Sequence, residues 1–221
     1  RILVSCTSSL PAFEKLFHQL FDEYGSVQAY PYVGFTKDGY FCCERSHQVS
    51  LERPSFDFLL ITNSIDPTNL DEDFFAYLSG LADAEACINV SRARKNIEAV
   101  CVTFDFSNTD YNLLEAVRQG LLTRGMRANI RETKTRDGRP YYRLYIKAKR
   151  DVFCLLRKLQ LRHEDKVAMR DLAIEILERH LAWSEAEPLI GTLRQIIERK
   201  RQQFWEEILA ELGFGRPQEA E

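Results

Sequence analysis

Phe74-Phe75-Ala76-Tyr77-Leu78-Ser79-Gly80-Leu81-Ala82-Asp83-Ala84-Glu85-Ala86-Cys87-Ile88-Asn89-Val90-Ser91-Arg92 is the stretch that decides the fold. It begins as a helix and ends as a strand. Phe74, Phe75, Leu78 and Leu81 fall at helical spacing and share one apolar face. Ser79, Gly80, Ala82, Ala84 and Ala86 are all small, so this helix is able to approach a second helix or strand closely. Asp83 and Glu85 sit at its C-terminal end, where the helix dipole disfavours negative charge. Carboxylates placed there need a compensating partner, and a divalent cation is one candidate.

Nine residues of this stretch, Leu78-Ser79-Gly80-Leu81-Ala82-Asp83-Ala84-Glu85-Ala86, resemble the LAGLIDADG motif of homing endonucleases. The resemblance implies an α+β fold: a pseudo-two-fold repeat of αββαββα halves, an antiparallel sheet saddle and a helix–helix interface of small residues. It also implies that the last acidic residue of the motif holds a metal ion at the scissile phosphates. By position that ligand is Glu85, with Asp83 as the second acidic candidate. Ala86 stands where the family usually has Gly.

The pattern expected of such a half continues downstream. Cys87–Arg92 and Glu98–Ser107 read as a hairpin around Ala93-Arg94-Lys95-Asn96. Asn108-Thr109-Asp110 supplies a helix start, and Gly125 ends that helix. Arg127–Lys134 and Pro140–Lys147 are two strands around Arg136-Asp137-Gly138, followed by helices over 151–159 and 164–181. Upstream, Ile2–Cys6 reads as a strand, with Ser8 or Ser9 as a cap and Pro11 in the first turn of the next helix. Residues 26–35 and 40–51 form a hairpin through Thr36-Lys37-Asp38-Gly39, and a short helix follows over 56–61. Strand, helix, Gly, hairpin, helix thus describes both residues 2–61 and residues 98–159, a weak internal repeat. The domains read as 1–61, an incomplete first repeat; 62–73, a linker; 74–181, a complete second repeat; and 182–221, a C-terminal helical extension. The first copy lacks a motif helix and first strand. Either they lie upstream of Arg1, or the protein has lost them.

Composition narrows the class. With 45% hydrophobic residues in 221, the chain is able to build packed cores. No apolar run approaches a membrane span. Cys6, Cys42, Cys43, Cys87, Cys101 and Cys154 show no CxxC spacing and read as reduced, buried thiols of an intracellular protein, in cytoplasm, nucleoid or organelle matrix. The net charge is −3, but it is unevenly spread. Residues 1–72 hold 5 Lys/Arg against 10 Asp/Glu, and residues 86–150 hold 14 against 6. The positive charge follows the motif.

That charge has a pattern. Arg127, Asn129, Arg131 and Thr133 alternate with Ala128 and Ile130, and Tyr141, Arg143, Tyr145 and Lys147 alternate with Tyr142, Leu144 and Ile146. One face is apolar; the other carries long donors and aromatic rings. A two-stranded ribbon of this kind fits a DNA major groove. Lys134, Arg136 and Arg139 at one tip, and Arg92, Arg94 and Lys95 at the neighbouring tip, are expected to meet phosphates. The first hairpin offers Lys37, Arg45 and His47 against Asp38 and Glu44, a weaker match.

Paired carboxylates from two helices hold divalent ions on the attacking and leaving oxygens of a phosphodiester. Only one such helix stands in this sequence, so Glu85 is a half-site. Lys166, by its place in the helix after the fourth strand, looks like the family's basic residue, with a solvated surface lysine as the other reading. The resemblance implies an intron- or intein-encoded, Mg²⁺-dependent DNA endonuclease, a monomeric pseudo-dimer acting on double-stranded DNA. The alternative is a non-cleaving nucleic-acid binder of the same fold, an RNA maturase or a transcription regulator. A third is a structural partner whose acidic first half docks a basic protein.

Overall fold

The computed structural model describes residues 1–35, 39–52, 70, 73–134 and 138–214. The helix expected over 56–61, most of the linker at 62–73, and Lys37, Asp38 and Arg136 lie outside the described residues. The chain divides into two units: Arg1–Thr62 with Arg194–Glu221, and Asn63–Leu193.

In the first unit, β1 (Ile2–Ser8), β2 (Val27–Phe35) and β3 (Phe41–Leu51) form an antiparallel sheet in the order β1-β3-β2, with α1 (Pro11–Phe21) between β1 and β2. Ile2, Phe17, Val49 and Leu51 make its core, with Val4, Phe13 and Val27 half-buried beside them. The capping expectation fails in detail. Leu10 is the cap residue, and Ser8 Oγ accepts from the Leu10 amide instead. Pro11 needs no amide partner at the first helical position, which fixes the start without a side-chain cap.

In the second unit, α2 (Phe74–Glu85) leads directly into β4 (Ala86–Arg94). Then come β5 (Ile97–Asn108), α3 (Tyr111–Thr123), β6 (Asn129–Lys134), β7 (Pro140–Ile146), α4 (Lys149–Lys158), α5 (Glu164–Glu178) and α6 (Trp183–Glu211), which runs on into the first unit. The sheet is antiparallel in the order β4-β5-β7-β6. Its helix-covered face buries Ile88, Val90, Phe104, Phe106, Leu144 and Ile146 in one core with Phe74, Leu78 and Ala82 of α2. Asp110 caps α3, accepting from the amides of Asn112 and Leu113 at 2.9 and 3.1 Å, as its type and position predict. Gly125 ends α3 at φ 75°, a conformation other residues adopt only with strain.

The internal repeat is visible as topology. The run β1-α1-β2-β3 has the connectivity of β5-α3-β6-β7, and the sheet orders β1-β3-β2 and β5-β7-β6 correspond. Each hairpin carries a left-handed glycine, Gly39 at φ 80° and Gly138 at φ 81°. Among the described residues the second unit has α2 and β4 before this shared run and α4 and α5 after it.

Two sequence expectations need correction. Arg45 and His47 do not lie on a solvent-facing strand surface. Both are buried, with Arg45 bonded to Glu14 at 2.9 Å and Glu211 at 2.5 Å and stacked on Phe204, and His47 against Phe17. Their register puts them on the face shared by Cys43, Val49 and Leu51, and acids distant in sequence neutralise the arginine. The cysteines are free, but only Cys43 is buried; Cys87 and Cys154 are exposed.

Candidate nucleic-acid interface and acidic site

The alternation expected of the basic hairpin is realised. Asn129 faces Tyr145 across the ladder, Arg131 faces Arg143, and Thr133 faces Tyr141. These six residues share the sheet face opposite the core, since side chains on a strand alternate. Asn129, Arg131 and Arg143 are exposed. β5 and β4 extend this open face with Thr103, Asp105, Ser107, Cys87 and Asn89 by register.

The face is not free of acid. Asp105 is buried under Arg143, whose guanidinium donates from Nε at 2.9 Å and lies at 2.8 Å through Nη2. The hydrogen bond to Asp105 holds the Arg143 guanidinium charged, raising it above its usual range. Arg143 therefore offers less unneutralised charge than the sequence alone suggests.

The remaining basic residues separate by position. Arg94 and Lys95 are exposed at the β4–β5 turn, and Lys134 and Arg139 at the β6–β7 tip. Arg127 and Lys147 are exposed but flank the strands; Arg127 Nε lies 3.7 Å from Asp151, and Lys147 stands over the Tyr145 ring. Arg92 differs from expectation. It shares the alternation of Ile88 and Val90, and its guanidinium is engaged by the Ile97 carbonyl and the Glu98 carboxylate.

Glu85 is the last residue of α2, next to the first residue of β4, and is exposed. Its Oε2 accepts from the Asn108 side-chain amide at 2.9 Å. Asn108 ends β5, beside Ser107, which registers with Arg143. Glu85 thus lies at the end of the sheet that carries Arg143. Asn108 was legible only as part of a helix start. Its role beside Glu85 depends on a contact across 23 residues that no local pattern reveals.

Asp83 is placed otherwise. It is buried, and its two oxygens accept from the backbone amides of Arg162 and His163 at 2.8 and 3.0 Å. Lys166 donates through Nζ to the carbonyls of Ala82 and Asp83 at 2.8 and 2.7 Å. Burial pulls the Lys166 ammonium below the usual lysine range, against the opposing pull of Asp83, Cys87 and Glu85. Among the described residues no three His, Cys, Asp or Glu side chains gather as a metal cage. A single open carboxylate still fits Mg²⁺ chemistry, because that ion is commonly held by one or two carboxylates together with substrate phosphates and water.

A helix that leads straight into the first strand of an antiparallel β4-β5-β7-β6 sheet is a fold of the LAGLIDADG class. Residues 73–160 match the family model described as the LAGLIDADG-like domain. Among solved structures, the I-SmaMI LAGLIDADG homing endonuclease bound to cleaved DNA aligns at 12% identity with a TM-score of 0.54, over 86% of this chain and 84% of that one. A point mutant of I-SmaMI aligns at 12% identity and a TM-score of 0.55, over 87% and 86%. The archaeal intron-encoded homing endonuclease I-Vdi141I complexed with DNA aligns at 16% identity and 0.44, over 66% and 100%. The I-SmaMI likeness shows a shared fold across most of the chain. No curated protein sequence matches. No helix among the described residues is long and apolar enough to cross a membrane.

Proposed function

We propose that the chain binds double-stranded DNA on the open face of the β4-β5-β7-β6 sheet and contributes one carboxylate, Glu85, to divalent-metal-dependent phosphodiester cleavage. What supports this reading is that Glu85 is exposed and bonded to Asn108 at the end of β5, next to Ser107, which pairs with Arg143 across the sheet. Arg94, Lys95, Lys134 and Arg139 meet phosphates, and Asn129, Arg131 and the tyrosines of β7 meet base edges. A bound divalent ion, Mg²⁺ by its availability and oxygen preference, supplies charge neutralisation at the scissile phosphate. Asn108 orients the Glu85 carboxylate.

The test is Glu85→Gln in the full chain. Duplex binding, read by fluorescence anisotropy, stays within about twofold, because an exposed carboxylate adds nothing to phosphate attraction. Cutting in Mg²⁺ is lost. A Gln variant that cuts at the unaltered rate overturns the assignment.

A second reading rests on a specific observation: among the described residues α2 is the one helix that ends in an acid and passes directly into a strand. The chain would then be a non-cleaving binder of duplex DNA or structured RNA. Salt-dependent binding without cutting by the unaltered chain, over a range of duplexes, supports it.

A further inference from the structure

We infer that Ser79, Asp83 and Lys166 are positioning residues that lock the last turn of α2 and so fix how Glu85 is presented to a divalent ion. The inference rests on the proposed role of Glu85 and adds to it the residues that set its geometry.

Ser79 and Asp83 are one helical turn apart and lie on the same edge of α2. Both turn toward the segment between α4 and α5. Ser79 Oγ accepts from the Gln160 amide at 2.8 Å and donates to the Phe75 carbonyl at 2.6 Å. Asp83 accepts from the Arg162 and His163 amides. Three side-chain oxygens of α2 are thus matched to three backbone amides that lead into α5. Lys166, in the first turn of α5, reaches back to the Ala82 and Asp83 carbonyls. The connection is reciprocal: α2 side chains hold the α5 entry, and an α5 side chain holds the α2 exit.

Each half answers a physical need. The Ala82 carbonyl accepts from the Ala86 amide as well as from Lys166, the carbonyls of a helix's last turn otherwise lack partners within it, and the C-terminal dipole favours a cation. Lys166 supplies both donors and charge. Asp83 alone would oppose the dipole; two amides and the nearby ammonium offset that. An apolar contact would hold α2 as firmly without burying a carboxylate and an ammonium, and burying charge is costly. What a polar lock adds is direction. Helix ends ordinarily fray, and Glu85 is the final residue of α2. With the carbonyls of Ala82 and Asp83 pinned, the Glu85 side chain leaves from one backbone position. Lys166, engaged by two carbonyls, acts through that backbone and not on phosphate.

The experiment follows the full chain by NMR, with Mn²⁺ alone as the probe. In the unaltered protein, Mn²⁺ broadens the Asn108 side-chain amide and the Cys87 amide, and Glu85→Gln removes the effect. Lys166→Met and Ser79→Ala require about tenfold more Mn²⁺ for the same broadening, the usual cost of losing an outer partner of a metal ligand. Lys166→Arg, which still donates to both carbonyls, needs no more than about twice the unaltered concentration on the same outer-partner scale. Hydrogen exchange at the Glu85 and Ala86 amides reports the lock itself and speeds up in the Met and Ala variants only. Faster exchange with an unchanged Mn²⁺ response makes the lock merely structural and overturns the inference, as does unchanged exchange in both variants. If Glu85→Gln leaves the broadening intact, it is the role of Glu85 that falls, and the exchange data identify that failure separately. Should Lys166→Met not fold, Ser79→Ala, which removes a neutral hydroxyl, carries both readouts.

Discussion

The side-chain amide of Asn108 donates to Glu85 Oε2 at 2.9 Å while its own Oδ1 accepts from the Asp110 amide at 2.8 Å. The second bond fixes which end of the amide faces the carboxylate. One residue therefore ties the end of β5, the cap of α3 and the acid at the end of α2. Asn108→Ala is expected to cost under about 1 kcal/mol of stability, since the pair is exposed. The same change raises the Mn²⁺ needed at Glu85 about tenfold. Chemical denaturation and the Mn²⁺ titration measure the two effects.

Arg143→Ala leaves the buried Asp105 carboxylate without its guanidinium. The loss is expected to be about 2 kcal/mol, less than for a fully buried pair because Arg143 is half exposed. Adding Asp105→Asn restores most of the stability by removing the stranded charge. Duplex binding is not restored, so the double variant separates folding from recognition in urea melts and anisotropy.

Arg92 and its neighbours at the β4–β5 turn are expected to behave differently. Arg92 is held by Glu98 and the Ile97 carbonyl, so Arg92→Ala leaves the salt dependence of duplex binding unchanged. Arg94→Ala and Lys95→Ala each reduce the salt slope by about 1. An Arg92 variant with the larger effect would place phosphate on the other side of that turn.

Gly120 of α3 meets α2 so closely that an added Cβ would overlap the Phe74 ring. Phe74 is fully buried and carries the Arg124 guanidinium 4.2 Å above its ring centre, so it has nowhere to move. Gly120→Ala is expected to destabilise the protein by about 1–3 kcal/mol despite the better helix propensity of alanine. Urea midpoints decide it.

His47 and His163 set a pH limit on stability. Burial lowers both below the ordinary histidine value; Lys166 adds to this at His163, while Glu14 opposes it at His47, where His18 and Arg45 reinforce it. The unfolded chain then binds more protons than the native one below about pH 6.5, so stability falls as pH drops through the unfolded value toward the folded ones. Thermal melts from pH 8 to pH 5 should show this decline, and replacing both histidines by Gln should flatten it.

Much of this fold could be read along the chain. The helix-to-strand transition at Glu85–Ala86, the Asp110 cap, the Gly125 stop and the face shared by Arg131 and Arg143 all follow from local periods and backbone preferences. These signals are contained within one element or one turn. The neutralisation of Arg143 by Asp105 was not legible, because cross-strand pairing depends on register between strands 38 residues apart. Nor was the inward turn of Arg45, which is decided by Glu14 and Glu211.

By itself the sequence determined which segments become helices and strands, where small residues line α2, and which strand face carries the basic side chains, because periodicity and turn chemistry act over a few residues. Only the tertiary structure decided which of two neighbouring acids is presented and which is consumed. Asp83 and Glu85 look alike in sequence, yet amides 79 and 80 residues away take both oxygens of Asp83 and leave Glu85 at the surface. Partners that distant are brought together where the α4–α5 connection passes the end of α2, and no local pattern specifies them.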